Sequence, residues 1–217
     1  FVSTGSRPMK TLLPQHHLLQ AGYGVDIATS TGGPAKFEWW AFPDEDAAVR
    51  ETWEATEAAF RAPRILRAVL EAGLDDYAAI FIPGGHGAMN VLPFDPEVGR
   101  ALRFFLEQDR AVITLCHGPA ALVAAGIGQD GNPFAGYEIT AFPDALDFGA
   151  TIEIGYIPGE MPWALGERLG EAGIVVTNDE MTGATLRDRN VLTGDSPLAA
   201  NQLGQDAVSY LLEHFAD

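Results

Sequence analysis

The chain has 217 residues and a formal charge of −17, from 13 Lys and Arg against 30 Asp and Glu; 47% of its residues are hydrophobic, which excludes wholesale disorder. The acidity, with Lys and Arg scattered singly, argues against nucleic-acid partners and against anionic membrane surfaces, and no apolar run approaches the roughly 20 residues that span a bilayer. A lone cysteine, Cys116, excludes an internal disulfide and a cysteine-rich metal site, and points to a reducing, cytoplasmic compartment.

The chain opens Phe1-Val2-Ser3-Thr4-Gly5 without Met, and so reads as processed or as a piece of a longer product. Ser6 as cap and Pro8 in the first turn predict a helix through Leu12, Leu13, Leu18 and Leu19 to Gly22. A strand follows over 25–29. The segment 37–63, with the aromatic cluster Phe37, Trp39, Trp40 and Phe42 and then an acidic helix, is too long for an ordinary connection and is expected to form part of a small sub-domain. A helix over 63–72 leads to a strand over 77–82, which ends in Pro83-Gly84-Gly85-His86-Gly87. Asp95-Pro96-Glu97 starts a helix running to Gln108. The uninterrupted apolar run Ala111-Val112-Ile113-Thr114-Leu115 is a strand buried on both faces, and Cys116-His117-Gly118-Pro119 and a helix over 120–125 follow it. A second irregular stretch, 126–162, is assigned to the same sub-domain, and a helix over 163–172, strands over 174–177 and 191–193 and a helix over 197–214 complete the chain. This alternation predicts one α/β domain over residues 1–217, a doubly wound, mostly parallel sheet with helices on both faces. Such a sheet normally begins with a strand before its first helix, and here that strand is expected to be missing before residue 1.

In an open parallel sheet, ligands gather beyond the carboxyl ends of the strands. Two core strands end there in unusual residues. The glycines of Gly84-Gly85-His86-Gly87 let the backbone approach a ligand and turn N–H groups towards it. Cys116 stands at a strand-to-helix elbow, where the side chain is presented and the following helix favours an anion such as a thiolate. A lone cysteine is as a rule an inert core residue; the elbow, the adjacent His117 and the neighbouring glycine loop turn the reading towards a nucleophile. His86 reads either as a plain loop residue or as part of the site. His16-His17 offers no metal pair, since neighbours on a helix diverge. Trp39, Trp40 and Phe42 read as sub-domain core, with an exposed partner-binding face as the alternative.

The stretches Phe81 to Ala88 and Ala111 to Ala121 resemble the ThiJ/PfpI superfamily, with its class I glutamine amidotransferase-like, flavodoxin-like fold. Within it they resemble the HchA-like branch of heat-inducible chaperones, glutathione-independent glyoxalases (glyoxalase III) and protein deglycases. The likeness extends through Lys36 to Ala41, Ala141 to Ala145, Glu153 to Tyr156 and Leu192 to Pro197, and so covers nearly the whole chain. The resemblance implies Cys116 as nucleophile, His117 as its partner, Asp147 as the carboxylate of a triad, and Gly84, Gly85 and His86 as an oxyanion or substrate-binding set. It implies a cofactor-free reaction in which the thiolate adds to an aldehyde such as methylglyoxal, a proton moves between the two carbons, and the resulting thioester is hydrolysed to lactate.

The pattern breaks in two places. The family's catalytic glutamate lies on the first helix, and Arg7-Pro8-Met9-Lys10-Thr11-Leu12-Leu13-Pro14 carries Lys10 in its place. An ammonium there favours the thiolate but removes a proton acceptor, unless burial lets Lys10 serve as a base. The metal ligands of some members align with Leu19, Gly24 and about Thr56, none of them suitable, so no metal is expected. The leading expectation is a glyoxalase III-type or deglycase enzyme acting on small reactive aldehydes. The alternative is a holdase chaperone for unfolded client proteins that has lost catalysis through Lys10, and a third reading is redox sensing through Cys116. The resemblance also implies a homodimer.

Overall fold

The structure is a computed structural model, in which residues 5–43 and 46–215 are described, apart from the side chain of Trp39. The strand expected before residue 1 and the first four residues lie outside that set. Helix α1 (Pro8–Gln20) begins on Pro8, whose missing N–H leaves nothing unsatisfied in a first turn. Its cap is the extended backbone of Arg7, not Ser6, which bridges to Phe37 instead. Strand β1 (Ala28–Thr29) is shorter than the run over 25–29 suggests, because its parallel partner β2 (Arg64–Ile65) is only two residues long. That pairing also delays the helix expected from Pro63, and α3 (Leu66–Ala72) starts three residues later. Between β1 and β2 lie a 3-10 turn (Trp39–Ala41) and α2 (Ala47–Arg61), capped by the Asp46 carboxylate on the Val49 N–H.

Strand β3 (Ala79–Ile82), helix α4 (Pro96–Glu107) and strand β4 (Ala111–Leu115) form a parallel crossover unit, and all five β4 residues are buried. The helix after Cys116 is a 3-10 helix, Gly118–Gly126. The stretch 126–162 contains β5 (Glu138–Ile139), α5 (Asp144–Asp147) and α6 (Ala150–Glu153). Helix α7 (Leu165–Glu171) leads to β6 (Val175–Val176), parallel to β5. Strand β7 (Thr185–Asp188) turns through Arg189, at φ +56°, into antiparallel β8 (Val191–Gly194), and α8 (Ala200–Phe215) follows. Sequence reading misses β7, since its four residues alternate only weakly and its turn lacks glycine.

The main sheet runs β3-β4-β8-β7, parallel except for β7. Helices α1 and α8 pack on each other in one layer, and α3, α4 and the Gly118–Gly126 helix pack together in another. The buried residues of 126–162, Phe134, Tyr137, Ile139 and Phe142 among them, join the main core, whereas Phe37, Val49 and Phe60 gather with Leu12 in a separate cluster. Among the described residues, no helix is long and apolar enough to cross a membrane.

Asp195 explains the Gly194-Asp195-Ser196-Pro197 stretch. Its fully buried carboxylate accepts the backbone N–H groups of Thr182, Gly183 and Ala184, which ties the loop before β7 to the end of β8. A cavity of about 1370 Å³ lies between the β1 region and the edge of β3 that pairs with no other strand among the described residues, with Val25, Ala28, Ala79 and Phe81 among its lining residues. The buried side-chain amide of Gln15 borders it with no hydrogen-bond partner among the described residues.

Candidate active site

Strands β3, β4 and β8 are parallel, so their carboxyl ends meet at one side of the sheet, and Gly84, Cys116 and Gly194 stand there together. Cys116 adopts φ +62°, a conformation that residues with a side chain seldom take. Two backbone bonds hold it: its N–H donates to the Gly194 carbonyl at 2.8 Å, and its carbonyl accepts the Phe142 N–H at 3.0 Å. Gly84 must be glycine, because a Cβ there would fall 2.3 Å from the Leu115 oxygen and 2.7 Å from the Cys116 Cβ. The glycine loop after β3 is thus packed directly against the elbow after β4.

Around the thiol lies a buried chain of charged and polar groups. Lys10, on the first turn of α1, donates from Nζ to Cys116 Sγ at 2.8 Å. Sγ lies 3.3 Å from His117 Nδ1, and His117 Nε2 meets Asp147 Oδ2 at 2.7 Å. The other Asp147 oxygen, Oδ1, meets His86 Nε2 at 2.9 Å. His86 Nδ1 in turn faces Glu38 Oε1 at 3.8 Å, and Tyr156 donates its hydroxyl to Glu38 Oε2. The His117 ring stacks on Phe142, with centroids 4.6 Å apart.

The expected residues Lys10, Gly84, Cys116, His117 and Asp147 therefore come together. Gly85, at φ +139°, turns its α-carbon towards the Gly5 to Arg7 backbone. His86, read in the sequence either as a plain loop residue or as part of the oxyanion and substrate-binding set, directs its ring nitrogens at Asp147 and Glu38. Sequence reasoning did not pick out Glu38 and Tyr156 as site residues. The signal was present, since both fall in stretches that resemble the family.

Burial alone would push the Cys116 thiol up, but the Lys10 ammonium, and behind it His117, outweigh burial and bring it down to about 7. Burial would likewise favour neutral His117; the facing thiolate and the bond to Asp147 raise it to about 9. Against its own burial, Asp147 is held well below the usual carboxylate range by hydrogen bonds from His117 and His86. Glu38 falls to about 2, because the facing His86 imidazole, the hydrogen bond from Tyr156 and the charge of Lys10 outweigh burial. Between pH 7 and 9 the pair is accordingly a thiolate beside an imidazolium, and the two groups titrate as a unit.

Among the described residues, His86, His117 and Asp147 form a cluster with ligand atoms close enough to hold a metal. These atoms are directed at one another at hydrogen-bond distance. The His16-His17 pair diverges: His16 Nδ1 faces the Thr52 hydroxyl and His17 Nε2 the Asn201 amide oxygen. Cys116 is fully buried and Lys10 is 3% exposed, and neither lines the 1370 Å³ cavity. Reagents therefore reach the thiol only when the groups around it move.

A family model described as the DJ-1/PfpI family matches residues 1–146. A protein of Staphylococcus aureus (strain bovine RF122 / ET3-1) named protein/nucleic acid deglycase HchA is 50% identical over 213 residues, which cover 97% of this chain and 73% of that protein. The protein of the same name from Pseudomonas aeruginosa (strain UCBPP-PA14) is 49% identical, covering 99% of this chain and 75% of its own. Among solved structures, glyoxalase III from Candida albicans superposes with a TM-score of 0.76 at 20% identity, over 95% of this chain and 88% of that one. At that identity the likeness shows the fold.

Proposed function

The chain belongs to the DJ-1/PfpI family, and from that premise we propose that it is a cysteine-dependent enzyme of the glyoxalase III or deglycase type, acting on small reactive aldehydes without a cofactor. The observation that carries this reading is the buried line Lys10, Cys116, His117, Asp147, which holds the thiol as a thiolate near neutrality. In the proposed reaction the thiolate adds to an aldehyde carbon and the Lys10 ammonium protonates the alkoxide that develops. Lys10, now a neutral amine, and His117 are the groups at hand to carry the proton from that carbon to its neighbour. Water then cleaves the thioester. Asp147 keeps His117 oriented and charged, the Gly84 and Gly85 amides supply the oxyanion site, and His86 and Glu38 lie behind Asp147.

The complete burial of Cys116 favours a free aldehyde over a bulky glycated side chain. Since the relatives' name includes nucleic acid, glycated nucleotides stand beside glycated proteins as wider substrates. The charge of −17 tells against a lasting complex with a polyanion, not against brief reaction at one base. A holdase reading is favoured only by exposed apolar side chains near the site, Trp40 at 57% and Ile154 at 75%.

The test is lactate formation from methylglyoxal across pH. Turnover should rise through about pH 7 as the thiol ionises and fall above about 9 as His117 loses its proton. Cys116→Ala should lower it by about 10³ or more. Lactate formation that persists unchanged in Cys116→Ala would rule the reading out. Suppression of client aggregation that survives Cys116→Ala, with no lactate from the parent, would favour the holdase.

We further propose that the cavity beside β3 is the place of an additional parallel strand of the sheet, and that the whole forms one domain working as a homodimer. In the parallel β3–β4 register the N–H groups of Ala79 and Phe81 point away from β4, towards that cavity. Hydrogen exchange resolved by residue tests the strand. Protection of Ala79 and Phe81 equal to that of Ile80 and Ile82 is expected, and free exchange at Ala79 and Phe81 would refute it.

A further inference from the structure

Lys10 and Lys36 are the lysines of this sequence. Lys36 is exposed, whereas Lys10 is buried with its Nζ 2.8 Å from Cys116 Sγ. An amine and a thiol at that separation are placed like the two ends of a folded S–C–C–N chain, so two adjacent carbons fit between them. We propose that Lys10 and Cys116 form a two-point covalent capture site for vicinal dicarbonyl compounds, in which the thiol takes one carbonyl carbon, the amine takes the next, and Lys10 ends as an N-carboxyalkyl lysine. The inference rests on the enzyme reading in one respect, the addition of Cys116 to the aldehyde; its product is a modified lysine instead of free lactate.

With methylglyoxal the capture begins at the aldehyde. The thiolate forms a C–S bond to the aldehyde carbon, and the carbonyl electron pair becomes an alkoxide that takes a proton from the Lys10 ammonium. This transfer is what makes the amine a nucleophile, since it leaves the Nζ lone pair free beside the ketone carbon. The amine adds there and water leaves, giving an iminium. The hydrogen on the former aldehyde carbon departs as a proton and its electron pair moves towards the iminium carbon. Reprotonation at that carbon and loss of the hydroxyl proton leave a thioester on one carbon and a secondary amine on the other. His117 Nδ1, 3.3 Å from Sγ, is placed to move these protons. Water then breaks the C–S bond, restores the Cys116 thiol and leaves a carboxylate. One water is lost and one gained, so Lys10 retains all the atoms of one methylglyoxal. The aldehyde carbon is oxidised and the ketone carbon reduced to the same extent, and no outside oxidant or reductant enters. Turnover and capture share the hemithioacetal and divide where the amine accepts a proton or attacks carbon.

The experiment incubates the whole chain with methylglyoxal, denatures it in excess small thiol to strip reversible thiol adducts, digests it and locates the added mass by tandem mass spectrometry. Carboxyethylation of Lys10 should exceed that of Lys36 by about a hundredfold or more, a modest demand on proximity. It should vanish in Cys116→Ala and in Cys116→Ser, and acetaldehyde, with a single carbonyl, should leave no such product. Because Lys36 is an internal reference, the parent chain alone suffices to decide between the outcomes. Equal modification of the two lysines, or Lys10 modification that survives loss of the thiol, would overturn the proposal. Lactate produced while Lys10 stays clean would overturn it and leave the enzyme reading standing; Lys10 modified without lactate would support it and remove turnover.

Discussion

Replacing Lys10 by Met should move the Cys116 titration up from about 7 by roughly 1–3 pH units, read as the pH dependence of iodoacetamide alkylation. Methionine keeps most of the length and volume of the side chain and removes its charge. In the parent, burial opposes the thiolate, and the ammonium 2.8 Å away is the first influence that overcomes it. With that charge gone only His117 remains, and at pH 7 the thiolate fraction should fall by about 5-fold for a shift of one unit and about 500-fold for three, carrying the alkylation rate and lactate formation with it. Lys10→Glu separates charge from proton transfer. A carboxylate beside a thiolate cannot stay ionised cheaply, so a proton is held between them and the new side chain is a neutral acid. Turnover above that of the parent is expected from Lys10→Glu although its thiol titrates higher. An unchanged titration in Lys10→Met would mean that Lys10 is not the partner of the thiolate in solution, and a Lys10→Glu variant slower than Lys10→Met would remove the argument from proton transfer.

The fold was legible where local pattern and burial agree. The apolar run of β4 could only be a strand covered on both faces, and it brought the elbow at Cys116 and the glycine loop after β3 to one end of the sheet. Pairing decided what pattern could not: β1 stops where β2 stops, and β7 exists because β8 offers it an edge. Of the site, Cys116, His117 and Gly84 could be read because they are consecutive with strand ends. Asp147 came only from resemblance, since it lies on a four-residue helix within an irregular stretch and acquires meaning only when Phe142 stacks on His117. Glu38 and Tyr156 lie 118 residues apart and join through one hydrogen bond, a contact that no local feature announces. The same holds for Lys10 and Cys116, 106 residues apart. The substitution at Lys10 was visible in the sequence, but its meaning depended on whether the amine reached the sulfur.

Asp147→Asn should lower turnover about 10²–10⁴-fold while leaving the fold intact, with its mark in the pH profile. In the parent both carboxylate oxygens accept from imidazoles, His117 at 2.7 Å and His86 at 2.9 Å. A carboxamide has one accepting end and one donating end, so one of the two rings must give up its Nε2 proton. The negative charge that helps hold His117 at about 9 also disappears. His117 should then titrate lower, the thiol higher, and the pH range of activity should narrow from both sides. A purely structural role would scale the profile without moving its limbs. Stability carries an independent sign. Asp147 and Glu38 both titrate below their ordinary values in the folded chain, so their contribution is present above the unfolded carboxylate range near pH 4 and drains away as pH falls towards the folded values. For Glu38, lowered from 4.5 to about 2, the loss is on the order of 3 kcal/mol. Acid unfolding of Asp147→Asn should therefore be less steep than that of the parent, while the Glu38 share persists. An acid limb as steep as the parent's, together with unmoved activity limbs, would mean that the Asp147 charge supports neither the imidazolium nor the fold.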